Sequence, residues 1–148
     1  MDPWELAARE EIRELVACYA HHADAGRLDE LVALFTEDGL LQIDDREPLR
    51  GRDAILAFLA DTRSGARESP EARFIRHHVS SLRIDVSGRD NAAGSSYFLV
   101  VTERGPDHWG RYRDRYALSE GRWRFAVRQV CMDGAGPDSW AAARRRTS

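Results

Sequence analysis

The chain has 148 residues, of which 43% are apolar and 32% charged, and its formal net charge is −3. This composition is typical of one globular domain with a real core, and it excludes a disordered chain. The charge gives no general attraction to nucleic acid or to anionic membranes, so we expect neither as a partner. No apolar run approaches the roughly 20 residues that span a bilayer, and the amino terminus has no signal-peptide core. We therefore expect a cytoplasmic protein.

The types of residue present limit the chemistry further. All 22 basic side chains are arginine, because the sequence contains no lysine. Schiff-base chemistry, a phosphate-loop lysine and a Ser–Lys dyad are thereby excluded. Cys18 and Cys131 lie far apart and are expected to be free thiols. We expect chemistry from histidine, carboxylate, tyrosine, serine, cysteine or arginine side chains, with no cofactor and, since no ligand spacing supports one, no metal.

The first half of the chain carries helical patterns. Asp2 as N-cap and Pro3 at the first helical position mark the start of a first helix, which should end near Ala23 or Asp24. Its apolar residues recur at helical spacing and should face the core; they are Ile12, Leu15, Val16 and Tyr19. Residues 28–35 predict a short second helix.

Shorter elements follow the second helix. Residues 36–39 predict a turn and residues 40–44 a strand, and the next polar segment reads as a hairpin return. Asp53 could cap a third helix over residues 54–61. Residues 62–72 are polar and punctuated by glycine and proline, which predicts a flexible loop that could act as a lid.

The second half predicts an antiparallel meander. Its strands are expected at residues 74–86, 93–104, 108–119 and 122–132, with turn sequences between them. Helices first and strands afterwards indicate an α+β domain, with helices packed on one face of a curved sheet. We assign residues 1–132 to this domain and residues 133–148 to a tail, in which Pro137 or Asp138 could open a short helix.

Two histidines stand side by side in the first long strand, His77 and His78. Neighbouring residues of a strand point to opposite faces, so only one of them can face inward. Leu82, Ile84 and Val86 share one parity and must face the core. In the absence of a bulge, His78 lies on that same face and His77 on the outer one. The alternation therefore predicts His78 as the inward histidine.

The third strand of the meander alternates between two kinds of side chain. Tyr112, Asp114 and Tyr116 share one parity, opposite a row of arginines and Trp109. We expect the tyrosine and aspartate row to reach the interior. In the fourth strand, apolar residues at 123, 125 and 127 are expected to face inward and the arginines at 122, 124 and 128 outward. The inner surface would then be an apolar body with a polar mouth, as small-molecule pockets are.

Four segments of the chain resemble the SnoaL-like, nuclear-transport-factor-2-like superfamily. They are "IRELVACYAHHADAGRLDELVALFTEDG", "RHHVSSLRI", "SYFLVV" and "GRYRDRYALSEGRWRFAVRQV". The pattern is similar to the branch of scytalone dehydratase and hexachlorocyclohexane dehydrochlorinase, and it covers about residues 5 to 132. The resemblance implies a cone: a strongly curved antiparallel sheet around the N-terminal helices, a cystatin-like α+β barrel with the pocket inside.

The resemblance also implies a pair of catalytic residues. In this branch an aspartate just after the first helix pairs with a histidine on the first long meander strand, which places Asp24 beside His78. A second histidine of scytalone dehydratase falls near Thr102 here, so Thr102 is expected only to contact substrate. A tyrosine that precedes the aspartate in scytalone dehydratase is Ala23 here. Dehydration of scytalone itself is therefore not expected.

These residues together predict a cofactor-independent lyase or isomerase for a small, partly apolar, oxygenated molecule. A histidine held by a carboxylate is a competent general base, so His78 would take a proton from carbon. Tyr112, Tyr19 or Arg76 could donate hydrogen bonds to the developing oxyanion. Asp114 could supply a second carboxylate, or form a buried pair with an arginine.

Two other readings stay open, since one superfamily holds many functions. The first is a non-catalytic module that binds a small molecule or serves assembly. The second is the small subunit of an aromatic-ring dioxygenase. A homodimer is expected in any of the catalytic or binding readings, because large aromatics such as Trp109 lie on the outer face of the predicted sheet.

Overall fold

The computed structural model describes residues 1–67 and 74–141, and it is an α+β domain as predicted. Three helices precede most of a six-stranded sheet. The helices are α1 (Pro3–Ala25), α2 (Leu28–Val32) and α3 (Arg52–Arg67). The strands are β1 (Phe35–Ile43), β2 (Leu49–Arg50), β3 (Ile75–Val86), β4 (Asn91–Thr102), β5 (Gly105–Ser119) and β6 (Arg122–Ala135).

The sheet order is β2-β1-β6-β5-β4-β3. The four long strands form the predicted antiparallel meander, but β1 joins β6 in parallel. Helix α1 packs against β3 and also against β6, although two strands separate these in the sheet. One helix can reach both only because the sheet curves around it. The core lies in this concave face, and residues 12, 15, 16 and 19 of α1 are buried there as expected.

Helix α1 begins and ends at residues that suit its termini. Asp2 is the N-cap and Pro3 the first helical residue, although the Asp2 side chain makes no capping hydrogen bond. At the other end Gly26 adopts a left-handed conformation with φ 71°, and its N–H donates to the carbonyl of Ala23. Asp24 is thereby fixed in the last turn of the helix.

Several segments differ from the expectations for the first half. Helix α2 ends at Val32 rather than at residue 35, because Phe35 already belongs to β1, and Asp53 is the second residue of α3 rather than its N-cap. The predicted turn at residues 36–39 belongs to β1, where the register against β6 shifts between Phe35 and Leu40. The apolar residues on either side are anchored in the core, so the polar residues between them form an irregular part of the strand. The predicted loop at 62–72 is helical through Arg67, and the rest of it lies outside the described residues.

A bulge in β3 reverses the predicted orientation of the histidine doublet. Ser80 pairs with Tyr97 and Arg83 with Ser95, so three steps along β3 face two along β4, and Ser81 takes a positive φ of 54°. The extra residue changes the parity, so that residues 75, 77 and 79 share the inner face with 82, 84 and 86. His78 is exposed on the outer face. The prediction that His78 faces inward was wrong, and His77 takes that place.

A second bulge reverses the parity of β6. Arg115 pairs with Val127 and Tyr116 with Phe125, which leaves Ala126 as the extra residue. Phe125 is buried as predicted, but the next inward residue is Arg128, which is fully buried. The prediction that Arg128 points outward with the other arginines of this strand was therefore wrong.

The end of the described chain returns to the sheet. Strand β6 continues to Ala135, three residues past the predicted end, and Trp140 starts a helical turn. Ser139 is buried against the start of β5. On the opposite, convex face, Trp109 is 38% exposed as expected, and the homodimer that it suggests remains a prediction.

Candidate active site

A cavity of about 170 Å³ lies between the helices and the concave face of the sheet. Its walls are mostly apolar, contributed by Ala23, Leu28, Leu31, Leu59, Ile75 and Val130. Two histidines, two tyrosines, Thr62, Arg63 and Trp140 add polar atoms to this surface. A concave, mostly apolar space with a few convergent polar groups is the usual form of a small-molecule site.

His77 and Asp24 meet at the wall of this cavity. The Nδ1 atom of His77 lies 2.6 Å from Oδ1 of Asp24, and the two side chains are only 16% and 13% exposed. The backbone N–H of His77 also donates to both carboxylate oxygens at 3.1 Å. A carboxylate oxygen accepts hydrogen bonds, so this contact favours the tautomer with the proton on Nδ1, which leaves Nε2 as the ring nitrogen that is not bound to Asp24. Asp24 thus fixes the position, the orientation and the tautomer of the ring.

The end of α1 holds Asp24 in place. Gly26 ends the helix in a conformation that favours glycine, and a β-carbon there would lie 2.3 Å from the guanidinium carbon of Arg63. The Nη1 of Arg63 donates to the carbonyl of Ala23 at 3.2 Å. A residue of α3 therefore packs directly over the helix end that presents the carboxylate.

Tyr19 and Tyr112 form the floor of the cavity and touch edge to face, with ring centroids 6.2 Å apart. Both are buried, and burial raises the pKa of each phenol. The two hydroxyls therefore stay protonated at neutral pH and can donate hydrogen bonds without ionising.

A buried ion pair lies beneath this floor. Arg128 donates to both oxygens of Asp114, at 3.0 and 2.9 Å, and the hydroxyl of Tyr116 donates to the same carboxylate at 3.0 Å. The guanidinium lies 4.2 Å from the ring centre of Tyr19 and 3.9 Å from that of Tyr112. Burial alone would lower the pKa of Arg128, but the charge of Asp114, its hydrogen bonds and the two tyrosines together outweigh burial and raise that pKa. Of the two roles left open for Asp114, the buried pair with an arginine is confirmed.

The remaining predicted residues are placed as follows. Tyr19 and Tyr112 line the cavity, whereas Arg76 is exposed on the outside with its guanidinium 5.4 Å from the Phe74 ring centre. The prediction of Arg76 as an oxyanion donor was therefore wrong, because the same bulge that turns His78 outward turns Arg76 outward. Thr102 is buried, and its hydroxyl accepts from the N–H of Arg104.

Sequence reasoning missed a second histidine of the cavity, His108. The predicted third strand begins at His108 itself, and the residues before it, Gly105, Pro106 and Asp107, are typical of a turn, so its parity with the inward row was not used. The signal was present, since His108 has the same parity as Tyr112, Asp114 and Tyr116, and this row is buried without interruption.

Within residues 1–67 and 74–141, no group of histidine, cysteine, aspartate and glutamate side chains has the arrangement of a metal site. In the same part of the chain, none of the helices has the length and apolar character needed to cross a membrane.

A curved sheet wrapped around a helix, with a histidine–aspartate pair in the space between, defines a class of small α+β pocket domains. The chain belongs to the SnoaL-like domain family, whose model matches residues 4–129. The resemblance seen in the sequence is thereby confirmed. Among curated proteins, no sequence matches this chain.

Several solved structures share the fold. A proposed scytalone dehydratase from Novosphingobium aromaticivorans is 26% identical, with 92% of this chain and 91% of that chain covered and a TM-score of 0.79. A nuclear-transport-factor-2-like protein with a cystatin-like fold from the same species is 27% identical, covering 97% and 90%, with a TM-score of 0.76. A hexachlorocyclohexane dehydrochlorinase from Novosphingobium barchaimii is 18% identical, covering 93% and 94%, with a TM-score of 0.77. The last is a likeness of fold alone.

Proposed function

We propose that this protein is a cofactor-independent lyase or isomerase in which His77 takes a proton from a carbon atom of a small, partly apolar, oxygenated molecule. The observation that carries the proposal is the 2.6 Å contact between Nδ1 of His77 and Asp24, at the wall of a predominantly apolar cavity. Asp24 orients the ring. The histidine next to His77 in sequence is exposed on the other face of β3 and takes no part.

The first step follows from the tautomer. The Nε2 atom of His77 accepts the proton from carbon, and Asp24, which already accepts the Nδ1–H, compensates the charge of the imidazolium that forms. General-base catalysis of this kind contributes about 100- to 10,000-fold to a rate.

Removal of the proton leaves negative charge on an oxygen of the substrate. The hydroxyls of Tyr19 and Tyr112 are the donors for that oxygen, because burial keeps both phenols protonated. The predominantly apolar walls make the surroundings of this oxygen less polar than water, which strengthens these hydrogen bonds. Asp114 and Arg128 support the tyrosine rings from below and do not contact the substrate.

The enolate that results has two outcomes with the same first step. Loss of a group from the neighbouring carbon is an elimination and makes the protein a lyase. Return of the proton to another carbon is an isomerisation. Similarity at 26% identity to a proposed scytalone dehydratase supports the lyase outcome.

The test uses a probe that reports proton abstraction by release of a dye. A methyl ketone with a para-nitrophenoxy group on its β-carbon loses nitrophenolate when a base removes the α-proton. The wild-type protein should release the dye faster than an equal concentration of free imidazole. His77→Gln and Asp24→Asn should each lower kcat by about 100-fold or more.

His78→Gln is the matched control, since it changes the adjacent and exposed histidine to the same residue. It should leave the rate within about twofold of wild type, because exposed substitutions change little. Equal losses in His77→Gln and His78→Gln, or wild-type turnover no faster than free imidazole, would count against the proposal.

A binding module is the second candidate, favoured by the predominantly apolar walls of the cavity. It predicts that the ketone probe binds and is recovered unchanged. In that case His77→Gln would alter the Kd for the probe, measured by calorimetry, with no turnover in any variant.

A further inference from the structure

The second histidine of the cavity is held as firmly as the first. Nδ1 of His108 lies 2.7 Å from Oδ2 of Asp107, and the hydroxyl of Ser139 donates to that same oxygen at 2.7 Å. All three residues are buried, with exposures of 8%, 8% and 3%. The ring contacts Trp140 edge to face, with the centroids 5.3 Å apart. His108 therefore has one orientation, and the carboxylate fixes its Nδ1 as a donor.

The sheet register places this histidine opposite His77. His77 pairs with Val100 of β4, and Val100 pairs with His108 of β5, so the three residues form one row across the sheet. Neighbouring strands lie a little under 5 Å apart, which separates the α-carbons of the two histidines by roughly 10 Å. Both side chains face the concave side and line the same cavity. A small molecule between them can contact one ring at each end.

The two histidines differ from the other polar groups of the cavity in their ability to transfer a proton. Burial raises the pKa of Tyr19 and Tyr112, so neither phenol gives up its proton near neutral pH. The guanidinium of Arg63 does not deprotonate in proteins. Among the described residues that line the cavity, His77 and His108 are the imidazoles, and each is held at Nδ1 by a carboxylate.

The carboxylate beside His108 is suited to a protonated ring. Burial opposes ionisation of Asp107, but hydrogen bonds from His108, from Ser139 and from the backbone of Trp140 outweigh burial and lower its pKa. Asp107 is therefore charged at neutral pH and balances an imidazolium. Binding an apolar molecule does not require a second histidine whose positive charge is balanced by a carboxylate. An elimination with a poor leaving group, in contrast, needs an acid as well as a base.

We propose that His108 is the general acid of this site, donating its Nε2 proton to an oxygen that leaves the substrate while His77 removes a proton from carbon; this rests on the proposed function. The C–H electrons form the new carbon–carbon double bond, the carbon–oxygen bond breaks, and the oxygen leaves as water or an alcohol. His77 gains one proton and His108 loses one, and exchange with solvent restores both. The substrate class is then an alcohol or ether β to an activating group.

This histidine is not the one that the family resemblance placed in the adjacent strand. That position is Thr102 of β4, which pairs with Gly105 and lies outside the His77 row. Asp107 and Ser139 act on the substrate only through His108, so they are positioning residues.

The test compares two leaving groups in one cavity. The β-(para-nitrophenoxy) ketone releases a stable anion that needs little protonation, whereas its para-methoxyphenoxy analogue releases a basic one. The readout is the ratio of the two kcat values, nitrophenoxy over methoxyphenoxy. His108→Gln should raise this ratio by about 100-fold, the smaller end of general-acid effects. Asp107→Asn should raise this ratio less than His108→Gln does, and Ser139→Ala should raise it less again.

Comparison variants separate this inference from the proposed function. His77→Gln should lower both rates and leave the ratio near the wild-type value, and His78→Gln should change neither. An unchanged ratio in His108→Gln, or a ratio that moves in His77→Gln instead, overturns the assignment of His108 while His77 remains a base. Wild-type rates no faster than free imidazole overturn the proposed function itself.

A loss of folding in His108→Gln is recognised from its circular dichroism and thermal unfolding. The two positioning variants then decide, because Ser139→Ala removes a single hydroxyl and Asp107→Asn keeps the side-chain shape. An unchanged leaving-group ratio in both overturns the inference, since a merely structural role would alter stability and not the response to the leaving group.

Discussion

The two histidine–aspartate pairs of the cavity are assembled in different ways. Asp24 and His77 are 53 positions apart, and they meet because a helix end and a bulged strand are brought together by the fold. Asp107 and His108 are adjacent in the chain, and their orientation comes from a segment beyond the sheet, through Ser139 and Trp140. The first pair therefore depends on the register of β3, whereas the second depends on the chain that follows β6.

Both pairs nevertheless border the same cavity floor. Tyr112 contacts Tyr19 on one side and stacks on Phe98 on the other, and Phe98 touches the ring of His108. Arg128 lies under both tyrosines. Substitutions can therefore be made in the shared floor of the cavity or in the surroundings of one histidine–aspartate pair alone.

The largest effect is expected from the shared floor of the cavity. Arg128→Met removes the guanidinium and leaves the buried Asp114 carboxylate without a counter-charge, so the free energy of unfolding should fall by about 3–5 kcal/mol. Urea unfolding followed by circular dichroism measures it. Adding Asp114→Leu should restore much of the loss, because no unpaired charge then remains. A single variant as stable as wild type would show that the ion pair does not support the floor.

A smaller effect should reach the His77 pair alone. Ser81 has φ 54°, which a β-branched residue tolerates poorly, so Ser81→Val should destabilise the protein by about 1–2 kcal/mol. Ser81→Gly is the matched control and should be neutral or slightly stabilising. The β-elimination rate should fall in Ser81→Val, and the ratio between the two leaving groups should stay constant. A larger loss from glycine than from valine would argue against the bulge.

The smallest effect concerns the His108 pair and depends on pH. The folded-state pKa of Asp107 lies below its ordinary value, so the carboxylate stabilises the protein above that ordinary value near 3.8. This stability is lost as the pH falls through the folded-state pKa. Wild type should therefore be more stable than Asp107→Asn at neutral pH, by about 1 kcal/mol. The difference should shrink below about pH 4, as measured by urea unfolding at each pH.

The sequence predicted what depends on local pattern. The limits of α1, its buried residues and the inward row of Tyr112, Asp114 and Tyr116 all follow from spacing, and the structure has them as predicted. The resemblance to a family implied that Asp24 pairs with His78, but the 2.6 Å contact joins Asp24 to His77 instead, so only the Asp24 half of that prediction matches the structure.

Two bulges account for most of the side-chain orientations that were predicted wrongly. Ser81 and Ala126 are ordinary strand residues with no marker in the sequence, and each shifts the alternation that follows or precedes it. His78, Arg76 and Arg128 were all misplaced for this one reason. The pair of Asp107 and His108 was missed differently, because glycine and proline nearby indicated a connection although β5 begins at Gly105.

The bulge at Ser81 shifts the alternation of β3 by one residue, so the side chains before it point to the face opposite to the one that a regular strand would give them. Residues 77 and 78 are both histidine. Inserting or deleting one residue near Ser81 would therefore turn His78 inward in place of His77, and an imidazole would still lie at the wall of the cavity. An alignment of relatives that ignores this extra residue would assign the proposed role of the base to His78, which is exposed. A designer could use the same property, since a change of length in β3 would switch which of two adjacent side chains meets Asp24.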